Sequence, residues 1–139
     1  MPCVLRARGP NFAVDEFLAE SSLQPITVFH RGQRQSSESR PVIASGFHSD
    51  VSGADFSNLQ SQIADAVEFI EKNQDELERL VGFPGVEHVS VDFGIEERDV
   101  AAQSERFPPK LLTMLGSLGV WLEFTLYPCQ EPADREGAS

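Results

Sequence analysis

The chain has 139 residues, 40% hydrophobic and 9% aromatic, with 11 Lys+Arg against 22 Asp+Glu for a formal charge of −11. That length and apolar content suit one globular core and argue against both a disordered chain and a pair of domains. The charge argues against a phosphate-backbone binder, which needs a basic stripe to release counterions, so no nucleic-acid partner is expected.

Residues 3–8 alternate, with Cys3, Leu5 and Ala7 on one side and Val4, Arg6 and Arg8 on the other, until Gly9-Pro10-Asn11 breaks the run. This predicts an opening strand. Phe12, Val14, Phe17 and Leu18 follow at helical spacing, with Asp15 and Glu16 where the positive end of the helix dipole favours carboxylates. Pro25 to Arg31 is β-branched and aromatic and ends at Gly32, which predicts a second strand. The stretch 33–40 has no apolar residue and reads as a solvated connector. Val42 to Val51 then alternates, with Ile43, Phe47 and Val51 sharing a side and Gly46 marking a bulge or bend.

Residues 56–81 carry the clearest signal. Phe56, Leu59, Ile63, Val67, Ile70, Leu77 and Leu80 recur at helical steps, predicting one long amphipathic helix. Asp55 or Ser57 is the expected cap at its start, with Gln60 completing a capping box for Ser57, and Gly82 and Pro84 stop its end. Gln74 interrupts the apolar stripe, so core contact should thin there. The other face is acidic, with Glu68–Lys72 and Asp75–Arg79 placed for i,i+4 pairing.

Val86 to Ile95 alternates Val89, Val91, Phe93 and Ile95 against His88, Ser90 and Asp92, which predicts a half-buried strand. Pro109 then opens a helix bearing Leu111, Leu112, Leu115 and Leu118, and Gly119 closes it. The last strand, Val120 to Tyr127, sets Val120, Leu122, Phe124 and Leu126 against Trp121, Glu123, Thr125 and Tyr127. Residues 1–128 are therefore expected to form a single domain and 129–139 a flexible C-terminal tail. The order βαββαβαβ, with half-greasy strands, predicts an α+β two-layer sandwich: a mixed, mostly antiparallel five-stranded sheet with helices on one face. Its first six elements follow the ferredoxin-like order.

The segments Cys3–Arg6 with Phe12–Leu18, Phe107–Leu112, and Leu118-Gly119 with Leu126–Pro128 resemble the opening and close of a family of small bacterial proteins with no assigned function. The resemblance implies a shared fold and transfers no catalytic motif. In element order the chain is also similar to immunity proteins that neutralise toxins.

Two cysteines, Cys3 and Cys129, are too few for a disulfide framework, although strands at the two chain ends could bring them side by side. No signal-peptide pattern opens the chain and no run of about 18 uncharged apolar residues occurs, so a cytoplasmic protein without membrane contact is expected.

Chemistry-bearing residues are sparse. His48/Asp50 and His88/Asp92 each share strand parity and are the candidate metal-ligand pairs, but no HxxxH or CxxC spacing reinforces them and neither a metal nor a cofactor is expected. No serine sits in a Gly-x-Ser-x-Gly elbow, and no phosphate-cradling glycine loop occurs. The run Glu96-Glu97-Arg98-Asp99 reads as an internally paired loop. The absence of a convergent set points away from catalysis; the alternative is a metal-binding or hydrolytic enzyme using the strand His/Asp residues.

The polar side of the sheet is more informative. Trp121, Glu123 and Tyr127 share a parity, and Arg6 and Arg8 can join them from the first strand, a composition suited to recognition. The same face could instead be covered by the chain's own elements or by a second copy. Acidity is concentrated, with +1 over residues 1–40 and −12 over 41–139. The expected function is a non-catalytic interaction module, either a homodimer or an immunity-like binder of a basic protein partner.

Overall fold

The computed structural model describes residues 2–34 and 40–128. Its elements are β1 (Cys3–Gly9), α1 (Val14–Ala19), β2 (Pro25–Phe29), β3 (Ser45–Ser52), α2 (Leu59–Lys72), α3 (Gln74–Val81), β4 (His88–Glu96), α4 (Pro109–Leu118) and β5 (Trp121–Tyr127). The strands form one open sheet in the order β2-β3-β1-β4-β5. Every neighbouring pair is antiparallel except β4 with β5, which are parallel and joined through α4. The α+β class and the mixed, mostly antiparallel five-stranded sheet are as the alternation implied. The first four strands form two interleaved βαβ units: β3 lies between β1 and β2, and β1 lies between β3 and β4.

Burial explains why the helices gather on one side. Leu5, Ala7, Phe47, Val89, Val91, Phe93 and Ile95 are all buried on one sheet face, against Val14 and Phe17 of α1, Ile63, Ala66 and Ile70 of α2, Leu77 and Leu80 of α3, and Leu111, Leu115 and Leu118 of α4. A row of phenylalanines fills one end of this layer. Phe17 stacks on Phe47 at 5.8 Å and meets Phe83 edge-on at 5.3 Å, with Phe12 completing the group. Pro109 opens α4, and Gly119 closes it in the left-handed conformation, φ 79°, that favours glycine.

The long helix expected over 56–81 is two helices. The chain breaks at Asn73, whose side-chain amide donates to the Phe69 carbonyl at 2.8 Å and whose backbone leaves helical geometry. A polar side chain that competes for a helical carbonyl is a recognised helix breaker, and it sits beside the Gln74 gap in the stripe. The start also differs. Asn58, not Asp55 or Ser57, caps α2 by accepting from the Ser61 N–H at 3.1 Å, so no capping box forms between Ser57 and Gln60. Arg79 pairs with Glu76 at 3.0 Å rather than with Asp75, because it also reaches the Phe17 carbonyl and lies over the Phe17 ring at 4.1 Å. Glu76 is held below the usual carboxylate range chiefly by that Arg79 hydrogen bond.

Strand limits shift as well. β2 stops at Phe29 and leaves His30 beyond it, where its ring reaches Asp15 at 3.0 Å. β3 starts at Ser45, so the exposed Ile43 lies outside it, and β4 starts at His88. The irregularity in β3 is at Val51, between the Cys3–Ser52 and Val4–Asp50 pairs, not at Gly46. Gly46 serves a different need: a Cβ there would stand 2.1 Å from the Ala7 carbonyl oxygen and 2.8 Å from the Phe29 ring. Cys3 is a fully buried core residue, and burial with the nearby Asp92, Asp50 and Asp65 charges raises its thiol far above the ordinary range. Cys129, and the tail expected over 129–139, fall outside the described residues. Among the described residues no helix is long and apolar enough to cross a membrane.

Candidate functional site

Among the described residues, the second face of the sheet carries no helix. Register fixes its side chains: Arg6 lies between His48 and Ser90, Val4 between Asp50 and Asp92, and Arg8 between Gly46 and His88. On the other side of β4, Ser90 pairs with Trp121, Asp92 with Glu123 and Gly94 with Thr125. Parity thus places Arg6, Arg8, Trp121, Glu123 and Tyr127 on one face, together with His48, Asp50, His88 and Asp92.

Asp92 is the centre of this face. Its side chain is buried although no helix covers it, because longer neighbours fold over it. Arg6 Nη2 donates to Asp92 Oδ2 at 3.0 Å, and Thr125 Oγ1 donates to the same carboxylate at 2.9 Å. Arg6 Nη1 reaches His48 Nε2 at 3.3 Å. A guanidinium only donates, so His48 Nε2 must accept, and the ring proton sits on Nδ1. Burial first, and the Arg6 charge second, pull His48 below its usual 6.5. Between 6.5 and that lower value the unfolded chain holds more protons than the folded one, so acidification through this window costs stability. Stability measured against pH is therefore expected to be level above 6.5 in the His48 contribution and to fall below it. The difference between wild type and His48→Gln, followed by urea unfolding from pH 7.5 to 5, isolates that slope; parallel profiles would contradict the pairing.

A second cluster lies at the β4–β5 end. Ser90 donates to Glu123 at 2.8 Å, and the His88 ring lies 5.6 Å from the Trp121 ring while its Nε2 is 3.6 Å from Glu123. Trp121 itself is 63% exposed. Tyr127 leans on Phe56 at 4.7 Å, and Phe56 in turn lies over Gly94, where a Cβ would come within 2.7 Å of its ring. Phe29 covers His48 from the opposite edge at 5.5 Å. Phe29 is an aromatic member that the alternation did not single out, and Phe56, expected on the apolar stripe of the long helix, lies before α2 and packs against Tyr127 and Gly94. Their signal was the strand glycines Gly46 and Gly94, each of which leaves room for a ring to lie against bare backbone.

Of the metal-ligand candidates, the structure brings His48, Asp50 and Asp92 into neighbouring positions and leaves His88 with Trp121 at the far end. One carboxylate oxygen of Asp50 is buried with no hydrogen-bond partner among the described residues. The Arg6 guanidinium fills the gap between His48 and Asp92, occupying the place from which both could have reached an ion. No group of three or more His, Cys, Asp or Glu side chains with metal-holding geometry occurs among the described residues. The 96–99 run is tied back through Gln103, which donates to the Glu96 carbonyl and accepts from the Arg98 N–H, with Arg98 near Glu105 at 3.6 Å.

The acidic side chains of α2 and α3, among them Glu68, Glu71, Asp75 and Glu78, belong to the helical layer, so the helix-free face is close to charge balance. No family model, curated protein or solved structure matches the chain.

Proposed function

We propose that this chain is a non-catalytic protein-recognition module whose contact surface is the helix-free face of the sheet. The observation that carries the reading is Trp121, a large aromatic held 63% exposed beside a hydrogen-bonded polar lattice. A tryptophan in water wastes apolar area that a partner could bury, and Trp, Tyr and Arg supply most interface energy elsewhere. The Arg6–Asp92–Thr125–His48 network holds its members in place, so little side-chain entropy remains to be lost on binding. The field of the −11 chain favours encounter with a basic protein. Charge brings the partner near, and the near-neutral aromatic face makes the contact.

Basic candidate partner proteins provide the test. Calorimetric titration is expected to give binding that weakens as salt rises, and Trp121→Ala is expected to weaken it by about 30-fold or more. Full-strength binding by Trp121→Ala, or binding that strengthens with salt, overturns the reading.

A further inference from the structure

The two edges of the sheet are built differently. β2 is short, opens with Pro25 and is irregular between Pro25 and Thr27, which are devices that discourage further pairing. β5 has none of them. It runs through seven regular pairs with β4, has no proline or bulge between Trp121 and Tyr127, and carries one charge, Glu123, already held by Ser90. Apolar side chains stand exposed on both of its faces: Trp121 at 63% and Tyr127 at 37% on one, Phe124 at 54% and Leu126 at 51% on the other. Among the described residues no strand pairs with this edge, and an edge of this kind in water is an association site.

We infer that two copies of this chain join through antiparallel pairing of β5 with β5, about a two-fold axis at Phe124, to give one continuous ten-stranded sheet. The hydrogen-bonding groups fit this register. The Tyr127 carbonyl accepts from the Glu97 N–H at 2.8 Å, which turns the backbone of Tyr127 toward β4. By strand alternation Thr125, Glu123 and Trp121 turn the same way, while Leu122, Phe124 and Leu126 turn their N–H and C=O groups to the free edge. With Phe124 opposite Phe124 of the other copy, Leu122 faces Leu126, and each of these pairs exchanges both of its backbone hydrogen bonds.

The side chains fit it too. Trp121 faces Tyr127 of the other copy on the helix-free side, and the charged Glu123 faces Thr125. Centring the axis one residue earlier would oppose Glu123 to its own copy. Centring it one residue later would carry Trp121 beyond the end of the opposing strand. The exposed parts of the four side chains amount to on the order of 400 Å² per copy. The outward backbone adds to this, as do Phe107, which lines a groove of about 360 Å³ with Phe124 and Leu126, and Leu112, exposed on the flank of α4 opposite Lys110. Together they approach the roughly 600 Å² per partner at which stable interfaces begin.

The dimer would bury Trp121 and Tyr127, which the recognition reading also uses, and salt separates the two. Joining two chains of charge −11 works against their repulsion, so self-association should strengthen with salt, whereas capture of a basic protein should weaken. Sedimentation of the full chain at chain concentrations from about 1 to 100 μM is expected to show a monomer–dimer equilibrium, and Phe124→Asp to weaken it by about a hundredfold or more, since both copies lose the residue. Hydrogen exchange tests the register without a variant. The amides of Leu122, Phe124 and Leu126 should gain protection as concentration rises, while those of Glu123, Thr125 and Tyr127 are protected throughout. A monomer at every concentration, a dimer that leaves those three amides unprotected, or a monomer in which they are protected because the chain's own residues beyond 128 pair with the edge would each overturn the inference.

Discussion

Replacing Phe17 by alanine is expected to lower the unfolding free energy by about 3–5 kcal/mol, a large part of the ~5–15 kcal/mol that holds a domain of ordinary stability together. Phe17 is fully buried and touches three other rings, so truncation leaves a cavity bounded by Phe12, Phe47 and Phe83, none of which can follow a single side chain into the space. A second loss adds to the first. The Arg79 guanidinium lies 4.1 Å above the Phe17 ring, and without that ring its apolar flank faces a void. Because α1 is only six residues long, with no side-chain cap, Phe17 and Val14 are what fasten it to the sheet. Urea unfolding of Phe17→Ala beside Ile26→Ala, whose side chain is half exposed on the opposite edge strand β2, checks the argument. The exposed site should cost markedly less, and equal losses would show that burial does not govern the difference.

Arg6→Met should cost about 2–4 kcal/mol, despite removing a residue that is partly in water. The reason is Asp92. Its carboxylate is buried, and Arg6 is the cation that neutralises it, so the methionine leaves a desolvated anion whose remaining side-chain partner among the described residues is Thr125. Partial exposure of Arg6 admits some solvent and holds the expected loss below that of a fully buried pair. Asp92→Asn should cost less, since an amide needs no counter-charge and can still accept from Arg6. The double variant Arg6→Met, Asp92→Leu should recover much of the Arg6→Met loss, which a double-mutant cycle by thermal unfolding would measure. Additive losses would mean that the two side chains act independently and that the lattice does not organise the helix-free face.

How much of this was legible in the sequence depended on whether a local period decided the matter. Two-residue alternation placed Leu5, Phe93 and Phe47 on the core side and Arg6, Asp92 and Trp121 on the other, because a strand can satisfy a half-buried setting only that way. The α4 limits at Pro109 and Gly119 were equally legible, each residue having few other uses in such a context. The break at Asn73 was not, since the apolar stripe runs on through Leu77 and Leu80 and only a side-chain-to-backbone bond interrupts the helix. The Val51 irregularity escaped for a related reason: bulges follow from how two strands meet, and Gly46 offered a more obvious but misleading mark. Parity likewise named the members of the Arg6–Asp92–Thr125 network without their partners, because 86 residues separate the first two and only the strand order brings them together.

That strand order has a kinetic consequence. β1 is made first but lies at the centre of the sheet, flanked by β3 and β4, the second of which ends at Glu96. During synthesis at roughly 5–20 residues per second, the strand that will lie deepest must wait several seconds with an open side before its last neighbour leaves the ribosome. Pairings this distant along the chain also slow refolding of the finished molecule, so nascent chains stalled before residue 88 should be the form most prone to capture by chaperones and to clumping.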